Sequence, residues 1–573
     1  MRHIKQEKCS SFEKKEPGKL SQIVKFFWFF FFKKRTLLPF LFFVTSLARA
    51  ADPCDTLVLP PGVGLGSPAD ITALNLLLTD NTYNQEAASY LYADLLWIDQ
   101  KDQIDFSRSI ASRIEVLDSG QRYRVTLSPW PWSDGRPVTA DDVLYTWELI
   151  QELGSNYVTY GQGGVPALIK RLDVLNPSQF EITLKQPVNP DWFELNGLVQ
   201  FIPLPRHSWG KLSVDQLWEN QSEPQFFDVV DGPFRLDKFN LGRSISFVPN
   251  PSYPLTHSPF KRMVIKFLQS SGSELQGISA GELDLANLPH EAFEAGKSIR
   301  NAHMVVEPPG FTYTFIGLNF KNPATSFLTD VRVRQAIQDS IDQKSMIADL
   351  WHGEGVESYG PIPGVATAYL SPSARAGRFP IGFNLKKAAA LLDQAGYVPG
   401  PDGIRAKHGV KLELTLLAPS GTETSLMMAQ MIQPDLRKSG IALHIQMMDF
   451  TQMLAILEHG VAPWEAYVLD AGITAYPSGE TTFATGAVEN WGDYSDPKMD
   501  QLIADSTDKP GLDGLYQFQD YVTQQLPFIF LPTTKNVVLE RNGILGAERV
   551  ISPGNDYNPQ LISLDRAACH AAH

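Results

Sequence analysis

The chain has 573 residues, of which 43% are hydrophobic and 20% are charged, and its formal net charge is −14 at pH 7. This composition is typical of a globular protein with two or three domains. The acidic surplus argues against nucleic acid or an anionic membrane surface as a partner.

The first 50 residues are typical of an export signal. A basic cluster at 33–35 precedes an apolar run at 36–48, and small residues follow up to position 50. We therefore predict a signal peptide at 1–50 and a secreted, periplasmic mature chain. A retained membrane anchor is the alternative, but the 13-residue run is shorter than the roughly 20 residues that a span requires. Removing these residues, with 11 basic and 3 acidic side chains, lowers the net charge from −14 to −22.

Two cysteines, Cys54 and Cys569, remain in the predicted mature chain. An even number of cysteines in an oxidising compartment favours a disulfide between them. The alternative is two unpaired thiols in the terminal tails. The final segment CHAAH (569–573) could also bind a soft metal, but a frayed terminus is the favoured interpretation.

Local patterns predict several elements in chain order. Short helical segments are expected over 71–96, and the alternation in RIEVLDSGQRYRVTLSP (113–129) predicts a β-hairpin. Next, WSDGRPVTADDVLYTWELI (132–150) contains an Asp-Gly turn, a capping box formed by Thr139 and Asp142, and an apolar helix face. Its tryptophans and aspartates are therefore expected to serve the fold.

A second helical region is predicted at 330–353. Asp330 can cap a helix whose Val333, Ile337 and Ile341 form an apolar stripe, and Asp342 can cap the next helix.

Catalytic and cofactor motifs are not found in the sequence. It contains no G-x-S-x-G elbow, H-E-x-x-H pair, P-loop or C-x-x-C pair. We therefore predict no enzymatic activity, no cofactor and no metal, although a secreted hydrolase is a competing class.

Two segments carry a family resemblance. WSDGRPVTADDVLYTWELI (132–150) and IGLNFKNPATSFLTDVRVRQAIQDSIDQKSMI (316–347) resemble those of the bacterial family 5 extracellular solute-binding proteins, and 231–253 and 490–503 are weaker matches. The resemblance implies an α/β, two-lobe periplasmic-binding-protein fold of the class II type, with an extra subdomain in lobe I and two hinge crossings.

The resemblance also implies the domain boundaries. Both chain ends then lie in lobe I, as a bridge between Cys54 and Cys569 requires. The expected segments are 51–94 (lobe I), 95–198 (the subdomain), 199–308 (lobe I), 309–529 (lobe II) and 530–573 (lobe I), with crossings near 308–313 and 527–532.

A loop of lobe II, LDAGITAYPSGETTF (469–483), resembles one that faces the solute in the family. In oligopeptide-binding members an aspartate there pairs with the peptide α-amino group, and a tryptophan three residues earlier lines a pocket. Tyr476 and Ile473 hold those positions here, so the resemblance does not imply recognition of a free α-amino group at this position. Asp470 or Glu480 could supply a carboxylate instead, and the alternative is that both are ordinary structural or surface acids.

Other ligand-binding candidates follow from their positions in the resemblance. They lie in an early loop, in a subdomain loop, beside the first crossing and after the lobe II loop, and about half of them are expected to contact ligand: Asn81, Tyr83, Asn84, Tyr157, Tyr160, Phe311, Tyr313, Trp491 and Tyr494.

The predicted function is that of the substrate-binding component of an ABC importer. The chain would capture a peptide or peptide-like small solute and deliver it, as a monomer, to a permease in the inner membrane. The alternatives are a nickel-chelate, opine or glycoside binder of the same family, and an accessory receptor that signals.

Overall fold

The computed structural model describes residues 52–63, 71–79, 81–99, 101–268, 270–307, 310–420, 423–460, 463–549 and 558–572. The predicted signal peptide lies outside these residues. Within them, every helix is too short or too polar to cross a membrane.

The segments predicted as lobe I contain two sheets, and the lobe names used below refer to the segments predicted from the sequence. In the first, the strand Thr56–Leu59 pairs in parallel with Arg262–Lys266, and antiparallel pairing then adds Ser244–Pro249 and Phe234–Asn240. The second sheet has three antiparallel strands in the order Ala302–Glu307, Asn536–Arg541, Leu285–Asn287.

The subdomain is built on one antiparallel sheet of four strands in the order Ala111–Leu117, Arg122–Leu127, Gln179–Leu184, Ile169–Asn176. Its first two strands form the predicted hairpin. The turn places Asp118, Ser119 and Gly120 at positive φ, which glycine and aspartate tolerate better than most residues.

The tryptophan-rich segment beside this sheet serves the fold as predicted. The helix Ala140–Leu153 begins with the capping box, in which the Thr139 amide donates to the Asp142 carboxylate at 2.8 Å. Trp130, Trp132 and Trp147 are each at most 4% exposed. Their burial stabilises the packing and leaves almost no surface for a ligand.

Lobe II is built around a five-stranded sheet in the order Ala442–Met448, Glu413–Pro419, Ala466–Gly472, Thr312–Leu318, Phe528–Leu531. The first three strands are parallel, and Thr312–Leu318 is antiparallel to both of its neighbours.

The predicted helices Val331–Ser340 and Gln343–Trp351 cover part of this sheet, and they are capped by Asp330 and Asp342. Val333, Ile337 and Ile341 are at most 1% exposed, as the apolar stripe predicted.

The remaining α-helices surround these sheets. Those with at least four residues are Thr82–Ser89, Arg206–Trp209, Val214–Glu219, Ser271–Ser279, Phe293–Gly296, Pro372–Arg375, Leu385–Gln394, Glu423–Lys438, Phe450–His459, Pro497–Asp508, Asp513–Gln525 and Arg566–Ala572. Short strand pairs join Gly355–Val356 to Thr533–Thr534 and Ile544–Leu545 to Ser563–Leu564, and a small sheet contains Val398–Pro399, Arg405–Lys407 and Val410–Lys411.

The described residues that flank the two predicted crossings are paired with one another. On the lobe I side Glu307 pairs with Asn536, and on the lobe II side Thr314 pairs with Leu531. The strand Phe528–Leu531 spans the predicted boundary at 529.

The chain ends are joined in lobe I. Cys54 and Cys569 form a disulfide with an S–S distance of 2.09 Å across 515 residues of sequence, and both are fully buried. The tail that was expected to be frayed instead forms the helix Arg566–Ala572, and its Arg566 donates to Asp55 at 2.9 Å. A long-range contact that the sequence pattern does not reveal therefore orders this end.

Candidate functional site

The lobe II sheet presents one edge that suits ligand binding. The carboxyl ends of its three parallel strands, at Met448, Pro419 and Gly472, lie there together with Thr312, the amino end of the antiparallel strand. Ligands of open α/β sheets bind beyond the carboxyl ends of the strands. The hinge connections leave the sheet at the same edge, so this edge faces lobe I.

Asp470 lies near the end of one of these strands and is exposed to solvent. The Thr314 hydroxyl on the neighbouring strand donates to its Oδ1 atom. Protein nevertheless surrounds the carboxylate closely enough that burial raises its pKa, and the hydrogen bond from Thr314 only partly opposes this. A carboxylate that solvent reaches but that protein atoms surround is expected in the wall of a cleft.

Aromatic side chains lie beside Asp470 at this edge of the lobe II sheet. Phe311 and Tyr313 are buried, and Tyr313 packs 5.4 Å from Phe315 between ring centroids. Burial raises the pKa of the Tyr313 hydroxyl far above its usual value, so it stays protonated. Half-buried Ile473 donates its amide to the Phe311 carbonyl at 2.8 Å, which fixes the start of the lobe II loop against the first crossing. Trp491 is also half-buried and could offer part of its ring to a solute.

Tyr476 is placed between lobe II and the subdomain and is fully buried. Its hydroxyl accepts from the Asn189 side-chain amide at 3.0 Å and lies 3.2 Å from the Ser506 carbonyl, to which it can donate. Its main chain exchanges two hydrogen bonds with the side chain of Asn196, at 2.8 and 2.9 Å. Its ring contacts that of Tyr369 at 5.5 Å. In this arrangement the side chain has no solvent-exposed surface to offer a solute.

Further buried contacts extend this junction. The Asn189 amide donates to the Thr507 carbonyl at 2.7 Å, and the Trp192 indole donates to Glu480 Oε1 at 3.0 Å. The Ser478 hydroxyl donates to Glu480 Oε2, so both carboxylate oxygens are engaged by the protein. We call the following residues the interlobe lock: Asn189, Trp192, Asn196, Tyr476 and Glu480.

On the lobe I side, two of the candidates organise the backbone. Asn81 caps the helix Thr82–Ser89 by accepting from the Tyr83 amide at 2.9 Å. Asn84 is buried, accepts from the Thr72 amide at 2.7 Å and donates to the Thr79 hydroxyl at 3.0 Å. Tyr83 is only half-buried.

The three remaining tyrosine candidates do not lie together at this edge of the lobe II sheet. The Tyr157 hydroxyl donates to Gln200 at 3.0 Å, and burial raises its pKa to about 12. Tyr494 packs against Phe320 with ring centroids 5.1 Å apart. Tyr160, in contrast, is half exposed on the surface of the subdomain.

Three side chains of metal-ligating types lie close together within the described residues. Metal-ligating atoms of Asp52, Cys54 and His570 lie within 4.8 Å of one another. The Cys54 sulfur is bonded to Cys569, so it is not the thiolate that metal binding by cysteine requires. This group therefore belongs to the terminal junction.

Two buried carboxyl groups lie close to Tyr83. Burial raises the pKa of Glu86 and of Glu274 to about 7, and both residues are 0% exposed. The Asn287 backbone amide donates to Glu274 Oε2 at 2.8 Å. Together they also help to raise the pKa of Tyr83 to about 12, after burial as the main cause.

We expect Glu274→Gln to flatten the pH dependence of stability. The folded protein holds the Glu274 proton more tightly than the unfolded chain, so this contribution is present below pH 4.5 and is lost as the pH rises to about 7. In the wild type the free energy of unfolding should fall by about 3 kcal/mol across that range, and the neutral amide of glutamine should abolish this fall. Urea titrations at several pH values measure it, with exposed Glu291→Gln as the control. A slope equal to that of the wild type would show that Glu274 is ionised in the folded protein.

Residues 105–503 match the family model described as bacterial extracellular solute-binding proteins, family 5 middle. The chain is 24% identical over 476 residues to the oligopeptide-binding protein AppA of Bacillus subtilis, which covers 82% of this chain and 85% of that protein. It is 25% identical over 462 residues to the probable deoxycholate-binding periplasmic protein YgiS of Escherichia coli, with 77% and 82% covered.

Solved structures are similar over most of the chain. The structure of Bacillus subtilis AppA in complex with a nonapeptide has a TM-score of 0.70 at 22% identity, covering 89% of this chain and 99% of that one. That of NikA from Brucella suis in complex with Fe(III)-EDTA has a TM-score of 0.73 at 20% identity, covering 89% and 100%. These similarities confirm the predicted two-lobe α/β fold.

Proposed function

Because the chain belongs to the bacterial extracellular solute-binding proteins of family 5, we propose that it is the substrate-binding component of an ABC importer. In this role it captures a peptide or peptide-like solute between its lobes and delivers it to a permease in the inner membrane. The Bacillus subtilis relative is an oligopeptide-binding protein, and its structure contains a nonapeptide.

The arrangement of the lobe II edge is the observation that carries this proposal. Asp470 and Ile473 lie on the stretch of chain that runs from the strand beside the hinge to Tyr476 of the interlobe lock. The solute-facing wall is thus bounded by the hinge on one side and by a closed interlobe contact on the other. A small number of polar groups among apolar walls suits an enclosed solute.

We propose that four of the half-buried or exposed candidates contact the solute and that five candidates held by hydrogen bonds within the protein support the closed form, whereas the exposed residues Asn81 and Tyr160 belong to neither group. The first group contains Tyr83, Asp470, Ile473 and Trp491, and the second contains Asn84, Tyr157, Tyr476, Glu480 and Tyr494. Phe311 and Tyr313 form the wall between them. The same proposal includes the lobe boundaries given above, export by residues 1–50, a periplasmic location and a monomeric state.

A non-peptide solute is the second candidate. The loop position that holds an amine-pairing aspartate in the oligopeptide-binding members is Tyr476 here, and its hydroxyl is occupied by Asn189 and Ser506. The loop therefore lacks the group that those members use for a free α-amino end. One of the similar structures contains a metal chelate, Fe(III)-EDTA.

Native mass spectrometry of protein purified from the periplasm tests the proposed function. We expect the protein to carry additional mass that is released on unfolding, because closure of the lobes slows dissociation of an enclosed solute. Fragmentation of the released species then distinguishes a peptide from a chelate or glycoside.

Protein that has been unfolded in guanidinium, dialysed and refolded serves as the solute-free control. A bare mass in repeated preparations, together with no thermal stabilisation of the refolded protein by a peptide mixture, would contradict the proposed function.

A further inference from the structure

The subdomain and lobe II also meet beside the interlobe lock, at a turn that contains Asp102. The Tyr369 hydroxyl of lobe II donates to the main-chain carbonyl of Asp102 at 3.2 Å. The Tyr369 ring lies 5.5 Å from that of Tyr476, which belongs to the lock. Tyr369 is 6% exposed and Asp102 is 4% exposed, so both are enclosed where the two segments meet.

The Asp102 carboxyl group is enclosed without a counter-charge. Its Oδ2 atom is buried and has no hydrogen-bond partner among the described residues. A buried carboxylate that no donor compensates is disfavoured relative to the neutral acid. Burial accordingly raises the pKa of Asp102 to about 7, and the negative charge of Asp99 in the same turn adds to this effect.

The charged groups around this contact are mostly acidic. Burial is the main cause that raises the pKa of Tyr369, and the charges of Asp102, Asp191 and Asp99 add to it. Lys101 of the same turn is exposed, and no cation of the described part of the chain influences the pKa of Asp102. The other charged groups nearby are engaged elsewhere: Arg375 with the Thr367 and Leu370 carbonyls, Glu480 with Trp192 and Ser478, and Asp520 with Ser371.

We propose that closure of lobe II onto the subdomain takes up one proton at Asp102, so that acidification favours the closed form. When the lobes part, Tyr369 leaves and water reaches the carboxyl group, which then ionises like an ordinary aspartate. The closed form therefore binds this proton more tightly than the open form. Its additional stability is fully present below pH 3.8 and is lost as the pH rises through about 7.

Hydrogen exchange of the refolded, solute-free protein at pH 6 and pH 8 tests this inference. The protection factor of residues 473–480, which include Tyr476 of the lock, reports opening after correction for the intrinsic pH dependence of exchange. This protection should be about tenfold higher at pH 6 than at pH 8. Amides of the lobe I strand Ser244–Pro249 report global unfolding in the same samples, which separates closure from overall stability.

Asp102→Asn should remove this pH dependence, because the amide stays neutral at both pH values. Asparagine also tolerates the positive φ of 58° at this position, so the turn is kept. Tyr369→Phe loses the donor to the Asp102 carbonyl and should lower the protection at both pH values, while the ratio between them remains. The two variants thus separate proton uptake from the hydrogen bond.

Glu194→Gln is the matched control. Glu194 lies in the same subdomain, and burial raises its pKa to about 7 as well, with the charge of Asp191 adding to the effect. Among the described residues its carboxyl group forms no hydrogen bond with lobe II. This variant should therefore keep the ratio of the wild type.

Three results would each overturn the inference: equal protection at the two pH values in the wild type, an Asp102→Asn variant that retains the pH dependence, or a Glu194→Gln variant that loses it. An equal change in the strand Ser244–Pro249 would also overturn it, because the effect would then belong to global stability. No solute is present in these measurements, so their outcome is independent of the mass-spectrometric test of the proposed function.

Discussion

Asn189→Ala is expected to weaken the contact between the subdomain and lobe II by about 3 kcal/mol. The Asn189 side chain is fully buried and donates to the Tyr476 hydroxyl at 3.0 Å and to the Ser506 carbonyl at 2.8 Å. Truncation would leave the buried Tyr476 hydroxyl oxygen without a donor and the Ser506 carbonyl with only the Tyr476 hydroxyl, and an unpaired buried acceptor costs more than the hydrogen bonds themselves contribute. The closed arrangement should therefore lose population relative to an open one by roughly two orders of magnitude.

Small-angle X-ray scattering of the solute-free variant measures the opening as an increase in the radius of gyration, and hydrogen exchange measures it as faster exchange of residues 473–480 and 506–511. Tyr476→Phe, which removes only the hydroxyl, should have a smaller effect in the same direction. A double-mutant cycle between the two gives their coupling energy. The control is Asn240→Ala at an exposed strand end of lobe I. Scattering and exchange identical to those of the wild type would show that the lock does not limit opening.

Loss of the Cys54–Cys569 disulfide is expected to lower the free energy of unfolding by about 4–6 kcal/mol. The bond joins residues 515 apart in sequence, so it removes much of the conformational freedom of the unfolded chain. The ion pairs beside it, from Arg566 to Asp52 and Asp55, involve exposed arginine and cannot replace a covalent link.

Guanidinium titration of the oxidised protein and of Cys54→Ser/Cys569→Ser measures the difference. Dithiothreitol should shift the wild type towards the double variant and leave the double variant unchanged, which controls for other effects of the reductant. Equal midpoints for the two proteins in the absence of reductant would contradict the expected stabilisation.

Local patterns were sufficient to predict much of the fold. The capping box of Thr139 and Asp142 and the stripe of Val333 and Ile337 depend on spacing within one helix. Such short-range rules operate before the chain has any tertiary context. The ordered C-terminal helix was not predicted, because its contacts with Asp52 and Asp55 are more than 500 residues away in sequence.

The lobe II loop could be located from the sequence, but the surroundings of its residues could not. Tyr476 meets Asn189 across 287 residues, and only the assembled structure shows that this contact occupies its hydroxyl. Asn189 itself carries a local signal, since Asn-Pro favours the start of a helix. That signal says nothing about a distant partner. The sequence likewise gives no reason to prefer Asp470 over Glu480, whereas their hydrogen bonds distinguish them clearly.

The paired strands at the hinge make lobe II an insertion into a single hairpin of lobe I. Glu307 and Asn536 are already cross-strand neighbours, so a turn of a few residues could join them after the intervening segment is excised. The first and last strands of the excised lobe, Thr312–Leu318 and Phe528–Leu531, are neighbours as well. Domains whose ends meet in this way are tolerated as insertions, although the hydrogen bonds of the interlobe lock would also be broken by the excision. The lobe II segment is therefore connected to lobe I through two adjacent strand ends, and it can be exchanged only together with the surface that it buries against the subdomain.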